Sequence, residues 1–330
     1  VRIFFVLSGF LITHLLLLEE EAHGRIHLGS FYQRRAFRIL PVYAAFVLVF
    51  GVLNLTTALG ATWKQYLSTL TFTKNMGGGG WHDGHLWSLA VEQQFYLLWP
   101  LTLILLRPRW RLAGAGLMIG LAPCLRVAFY VNHNTTWYLF SLPANMDALM
   151  FGGVGALALH SFPQKMIRLT RWKPVGLRFV ALAAIILVWQ IVARLQFAQF
   201  TVPFGATIQA AAAAFLVASY SLETDGPVFR ILNSAPLRAL GILSYSLYIW
   251  QQLFFVRDGE YAEHHPFFLH FPWNLGAVLI AAILSFYGVE RPFFRVRGKL
   301  RQTAESPDAT RDDQPLAALI DPSSPTDHKL

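Results

Sequence analysis

His85, Ser88, Glu92 and Tyr96 follow one another at steps of three, four and four residues. On an α-helix these steps stack side chains on one face, so the four make a single polar stripe, with Trp87 beside it. A carboxylate in such a stripe is equipped to take the proton of a hydroxyl, or to orient a neighbouring base. His85 offers a second proton-transferring group at the same end. The alternative is a structural carboxylate bonded to a Trp or Tyr of an adjacent element. If the chemistry is real, the stripe is expected to line an aqueous cavity open to one side.

Arg34, Arg35 and Arg38 form a second set. On a helix, 34 and 38 lie one turn apart and 35 and 38 share a face. Planar guanidinium forks match phosphate oxygens bidentately, so this spacing suits a phosphate-bearing donor such as a coenzyme A ester. The alternative is three ordinary basic anchors at a membrane surface. Arg126 and Asp147 form the third set, as a salt bridge between neighbouring elements or as lining for the same cavity. If the pair is structural, reversing both charges is expected to restore folding.

Other residues carry weaker signals. His14, near the cytoplasmic end of the first apolar stretch, lies at the wrong depth to serve as a catalytic histidine, and His82 flanks a loop. His264, His265 and His270 lack tight ligand spacing and an accompanying acid or cysteine, so no metal site is expected. Cys124 is the only cysteine. It reads as a small packing residue, and a disulfide framework is excluded. Gly77-Gly78-Gly79-Gly80 lacks the Gly-Lys-Ser/Thr ending of a phosphate loop and reads as a hinge.

The elements that carry these sets are membrane spans. Of 330 residues, 55% are apolar and only 14% charged, and mean hydropathy is +0.44. A soluble domain has about a quarter of its residues charged. Residues 39–63, 195–222 and 271–289 carry no charge at all. A span needs about 20 mostly apolar residues. Nine stretches qualify, near 3–18, 39–56, 86–106, 112–130, 141–160, 179–194, 202–221, 240–256 and 271–290. Lipid-exposed backbone of this kind must be helical, so the expected fold is an all-α, polytopic membrane protein. Glu92 falls about six residues inside its span, or ~9 Å deep. An ionisable group there costs on the order of 3 kcal/mol to insert, which makes it a functional candidate.

The charge distribution sets the orientation. Nineteen of the 27 Lys and Arg fall in alternate connections on one side, among them Arg34, Arg35, Arg38, Arg111, Arg178 and Arg230. Six fall towards the other: Arg2, Lys64, Lys74, Arg126, Arg194 and Arg257. An excess of positive charge marks the cytoplasmic side. Basic clusters between apolar spans also argue against nucleic acid as the partner of this +9 chain. The C-terminus is therefore expected in the cytoplasm and Val1 outside, with one further span expected upstream. Residues 1–298 read as the membrane domain, and 299–330, rich in Pro, Ser, Asp and Thr, as a disordered polar cytoplasmic tail.

Several stretches are more specific than generic span. They are Phe4-Phe5-Val6-Leu7-Ser8-Gly9-Phe10, Arg34-Arg35-Ala36-Phe37-Arg38-Ile39-Leu40-Pro41 and His85-Leu86-Trp87-Ser88-Leu89-Ala90-Val91-Glu92-Gln93-Gln94-Phe95-Tyr96. Near the end come Ser244-Tyr245-Ser246-Leu247-Tyr248-Ile249-Trp250 and Val289-Glu290-Arg291-Pro292-Phe293. In this order and spacing the chain, up to about Arg297, resembles the membrane acyltransferase-3 family of bacterial enzymes. The resemblance implies ten core spans in the inner (cytoplasmic) membrane, with an essential histidine on a first span upstream of Val1.

It also implies transfer of an acyl group, by expectation acetyl, from cytoplasmic acyl-CoA to a hydroxyl of a glycan or similar envelope acceptor. No permanently bound cofactor is implied. The donor would meet Arg34, Arg35 and Arg38. The acceptor would enter a cavity formed by Trp87, Ser88, Tyr96, Arg126 and Asp147, beside Glu92 and His85 as catalytic groups. Two alternatives stay open: a solute transporter or flippase that uses the intramembrane charges, and an inactive family member without the histidine-bearing span. The acceptor's identity, the acyl chain length and the oligomeric state are not legible in the residues.

Overall fold

The computed structural model describes residues 1–56, 59–77, 79–166, 174–193, 200–222, 225–255 and 267–295. The tail from 299, Gly78, His264, His265, Arg194, Arg257 and Arg297 lie outside the described residues. Within them every regular element is helical and no strand occurs. The principal helices are α1 (Arg2–His23), α2 (Leu28–Thr56), α3 (Trp63–Leu70), α4 (Leu86–Leu105) and α5 (Pro108–Val131). They continue with α6 (Leu142–Ser161), α7 (Pro174–Ala193), α8 (Ala206–Ser221), α9 (Ala235–Phe254) and α10 (Trp273–Ser285). A π-helical turn, Thr201–Gly205, leads into α8, and another, Phe286–Glu290, prolongs α10.

Among the described residues, six stretches are long and apolar enough to cross a membrane: Arg2–His23, Leu28–Thr56, Pro108–Val131, Thr135–Ser161, Thr201–Ser221 and Trp273–Arg295. Nine were expected. The other three positions are occupied by the 20-residue helices α4, α7 and α9. The run Glu92-Gln93-Gln94 dilutes the hydropathy of α4, and Arg238 with several Ser, Tyr and Gln does so in α9. The apolar part of α7 is the shorter Leu177–Val188. Large apolar side chains nevertheless face outward around the molecule. Leu48, Leu55, Leu105, Leu117, Leu187 and Leu284 are all exposed, a surface suited to hydrocarbon rather than water. Cys124 lies exposed on α5 rather than in packing as expected, because among the described residues none covers that side of the helix at this position.

The centre of the fold is the crossing of α1 with α6. A Cβ on Gly9 would sit 1.8 Å from the Leu149 carbonyl oxygen, and one on Gly152 would sit 2.0 Å from that of Val6. The two backbones therefore touch, as small residues permit in membrane helices. Phe5, Ile12 and Leu16 then pack with Trp99 and Leu103 of α4 and with Leu149 and Met150 of α6. At its C-terminal end α1 stops at Gly24, whose φ of 70° provides a left-handed cap. Four residues later α2 begins, which returns Arg34 and Arg35 alongside the helix just finished.

Overpacking a fitted contact costs about 1–3 kcal/mol, and more where backbone is hit. Gly152→Ala is therefore expected to lower the thermal midpoint in detergent by several degrees. Gly116→Ala, whose Cβ meets nothing within 4 Å, is expected to leave it unchanged. Equal midpoints for the two variants would dissolve the close crossing.

Candidate active site

Glu92 lies half-buried on α4, facing α1. The Ser8 hydroxyl donates to its Oε1 at 2.9 Å. The Tyr96 hydroxyl, one turn further along α4, is 3.1 Å from Ser8 Oγ and 3.4 Å from Glu92 Oε2, and donates within that pair. Below Tyr96 lies Arg35 of α2, its guanidinium carbon 5.5 Å from the Tyr96 ring centroid and 5.8 Å from that of Phe31. At these separations a cation is attracted to the ring face. Three helices thus meet around one carboxylate, and a chain of contacts runs from Arg35 through Tyr96 to Glu92 and Ser8.

The upper half of the stripe is arranged differently from the expected open cavity. The Tyr248 hydroxyl donates to the His85 carbonyl, which leaves Ser88 Oγ to donate to the Tyr248 oxygen at 2.6 Å. His85 Nε2 lies 3.1 Å from the Ile249 carbonyl oxygen. Its Nδ1 is buried and has no hydrogen-bond partner among the described residues. Ser88 is only 6% exposed. The stripe exists, but α9 fills the part of it at the start of α4, because the aromatic run around Tyr248 supplies the hydroxyl that Ser88 and the His85 carbonyl require. Trp87, one residue round the helix, faces elsewhere: it meets Phe5 edge-on at 5.9 Å and Phe140 at 5.0 Å.

The three arginines also separate. Arg34 pairs with Glu19 of α1 at 2.6 Å, Arg35 turns inward to Tyr96, and Arg38 is exposed. Nearby, the Tyr245 hydroxyl donates to the Ile39 carbonyl at 2.9 Å, and Ser246 donates to Glu290. The two C-terminal motifs therefore lock α9 to α2 and to the end of α10.

Arg126 and Asp147 do form the expected ion pair, at 2.8 Å and nearly sealed from solvent. Thr207 bridges them, accepting from Arg126 at 2.5 Å and donating to Asp147 at 2.7 Å. Arg126 also donates to the carbonyls of Ala144 and Pro203 at 3.1 and 2.9 Å. Among the described residues no hydrogen bond joins this pair to the Glu92 group. The pair holds α5, α6 and the turn before α8 together, and contributes to the site only through that framework.

Sequence reasoning missed three features. The run Glu19-Glu20-Glu21 ties α1 to three different neighbours: Glu19 to Arg34, Glu20 to Arg111 at 2.5 and 2.9 Å, and Glu21 to His160 at 3.5 Å. A cavity of about 260 Å³ opens beside Glu20, Glu21, Arg111 and His160. Lys74 and Asp83 form a buried ion pair in the connection between α3 and α4, with Thr69 donating to Asp83 at 2.8 Å. Gly80 is required there, since its Cβ would lie 2.5 Å from Asp83 Oδ1. Ser8, quoted only as part of a motif, is the third. Three consecutive acids closing an apolar span beside basic connections were the available signal for the first.

A multi-pass helical membrane protein with a carboxylate, hydroxyl and guanidinium group gathered inside the helices is the class that fold and site define. The family model described as an acyltransferase domain matches residues 1–291, and the chain belongs to that family. It is 28% identical over 322 residues to "Putative peptidoglycan O-acetyltransferase YrhL" of Bacillus subtilis (strain 168), covering 88% of this chain and 50% of that one. It is 25% identical over 324 residues to "O-acetyltransferase OatA" of Staphylococcus aureus (strain NCTC 8325 / PS 47), covering 88% and 51%. The chain spans about half the length of these curated relatives. No solved structure matches it.

Removing one partner of a buried ion pair costs about 3–5 kcal/mol, so Asp147→Asn is expected to cut the yield of folded protein and its thermal midpoint in detergent. Exchanging the two residues is not expected to rescue it, contrary to the expectation from the pair alone. A carboxylate at 126 would face the Ala144 and Pro203 carbonyls. Recovery of the wild-type midpoint by the exchange would show that those two carbonyls do not matter.

Proposed function

We propose that this chain is the membrane core of an O-acyltransferase that moves an acetyl group from acetyl-CoA at the cytoplasmic face to a hydroxyl of a cell-wall glycan presented outside. In this reading it sits in the bacterial inner membrane with its C-terminus in the cytoplasm. The observation that carries it is the contact chain Arg35–Tyr96–Glu92–Ser8, which runs from the helix bearing the basic motif to a carboxylate within the helices. Membership of the acyltransferase family supports the reaction type. The names of YrhL and OatA support an acetyl donor and a wall-glycan hydroxyl.

The roles follow from chemistry. Arg34, Arg35 and Arg38 hold the donor's phosphates, Arg34 exchanging Glu19 for a phosphate oxygen. Glu92 takes the proton from the attacking hydroxyl and returns it to the departing thiolate, so no net charge is left in the hydrocarbon. Tyr96, backed by the Arg35 cation, offers a hydrogen bond to the oxygen on which negative charge develops. His85 acts through position: it anchors on α9 and keeps Tyr248 against Ser88. The transporter alternative gains nothing, since Arg126 and Asp147, which it needs along a solute path, are engaged with each other and with Thr207.

Membranes carrying the protein, supplied with labelled acetyl-CoA and wall glycan, test this directly. Glu92→Gln is expected to cut transfer about 100-fold or more with membrane insertion unchanged. Arg38→Ala is expected to raise the donor KM about tenfold, as loss of one charge-assisted phosphate contact implies. Transfer at the wild-type rate by both variants would remove these assignments. Absence of any label transfer by the wild-type protein would remove the acyltransferase reading itself.

A further inference from the structure

Among the described residues, side-chain hydrogen bonds join α1 to α4 at two places, which differ in kind. Trp99 Nε1 donates to Thr13 Oγ1 at 2.8 Å, and both residues are sealed, at 1% and 0% exposure. Ser8 donates to Glu92 at 2.9 Å, yet Ser8 and Glu92 both keep partial exposure. The first is a structural tie. The second is a hydroxyl held against a carboxylate, neither of them sealed by packing. Ser8 lies six residues from the outer end of α1, or ~9 Å along it. Through Tyr96 it is two contacts from Arg35 of the basic helix. Its backbone is immobilised by the neighbouring Gly9, packed against Leu149.

We infer that Ser8 is a nucleophile that carries the acyl group as a covalent ester between donor and acceptor. The inference rests on the acyltransferase reading above and adds a step to it. A nucleophile, an adjacent base and a third group orienting them is the arrangement covalent catalysis needs. In the first half-reaction Ser8 Oγ forms a bond to the thioester carbonyl carbon while its proton passes to Glu92. The C–S bond then breaks, and the thiolate leaves with that proton as the free thiol. In the second, the acceptor hydroxyl attacks the Ser8 ester and gives its proton to Glu92. The bond from Ser8 Oγ to the acyl carbon breaks, and Oγ recovers the proton. Throughout, Tyr96 hydrogen-bonds the carbonyl oxygen as it becomes negative. The relay also divides the crossing: the donor need only reach Ser8 from one face, and the acceptor from the other.

The experiment uses membranes containing the protein and labelled acetyl-CoA, first without acceptor, then quenched in acid and digested for mass spectrometry. The wild-type protein is expected to release one CoA per chain in a burst and to carry acetyl on the peptide containing Ser8, removed by alkaline hydroxylamine. Ser8→Cys is expected to carry it as a thioester, removed by neutral hydroxylamine. That readout stands even if Ser8→Ala folds poorly. Ser8→Ala itself is expected to carry no label and to lose about 100-fold or more in transfer, with donor KM within a few-fold. Wild-type transfer to glycan with no adduct on Ser8, or undiminished transfer by Ser8→Ala, would overturn the relay and leave direct transfer in place. If the wild-type protein consumed no acetyl-CoA at all, both the relay and the acyltransferase reading would fall.

Discussion

A carboxylate inside a membrane domain must be satisfied by protein, because hydrocarbon offers it no hydrogen-bond donor. Glu92 imposes that demand on the whole centre of this structure. Its two donors come from different places: Ser8 from α1 and Tyr96 from one turn away on α4. Meeting both fixes the rotation of α4 about its axis and the height of α1 beside it. Arg35 then has one useful place to put its charge, over the Tyr96 ring. The carboxylate therefore determines how three helices are set, and the same contacts assemble the proposed reaction centre.

Two further constraints hold α1 where Glu92 needs it. At mid-height the glycine crossing brings α1 and α6 into backbone contact, which permits little sliding. At the C-terminal end of α1, Glu19, Glu20 and Glu21 bind α2, α5 and α6 respectively. Their pairing with basic groups on the same face explains how an acidic run survives at the end of a span that carries an excess of Arg nearby. The Gly24 cap and the short connection after it return α2 close enough for Arg34 to reach Glu19 and Arg35 to reach Tyr96. The arginines proposed to bind the donor and the carboxylate are in this way parts of one mechanical unit.

At the start of α4, α9 covers the stripe. Its Tyr248 and Ile249 bond with Ser88 and His85, and Ser246 with Tyr245 anchors the same helix to Glu290 and to α2. In the proposed reaction an acceptor would therefore approach Glu92 beside this helix rather than along Ser88. Arg126 and Asp147 lie in a separate joint. They have the chemistry of a substrate-cavity pair and the surroundings of a structural one, with Thr207 and two carbonyls engaging the terminal nitrogens of Arg126 and Thr207 also donating to Asp147.

Much was legible in the residues alone. The apolar runs dictated helices, since hydrocarbon leaves the backbone no other choice, and the motif order identified the family. The spacing of His85, Ser88, Glu92 and Tyr96 put them on one face, because periodicity is a property of a single helix. The same reasoning reached Arg126 and Asp147, as two unpaired charges in lipid nearly have to find each other. Span counting was less secure: α4 and α9 carry the polar groups that build the site, and those groups are what lower their hydropathy. Only the tertiary structure decided which way each face looks. Nothing in the spacing says that Ser88 is capped by Tyr248, that Arg34 and Arg35 point to different helices, or that Ser8 completes the Glu92 group. Those outcomes depend on the rotation and offset of one helix against another. That is set by contacts such as Gly9 on Leu149, between residues far apart in the chain.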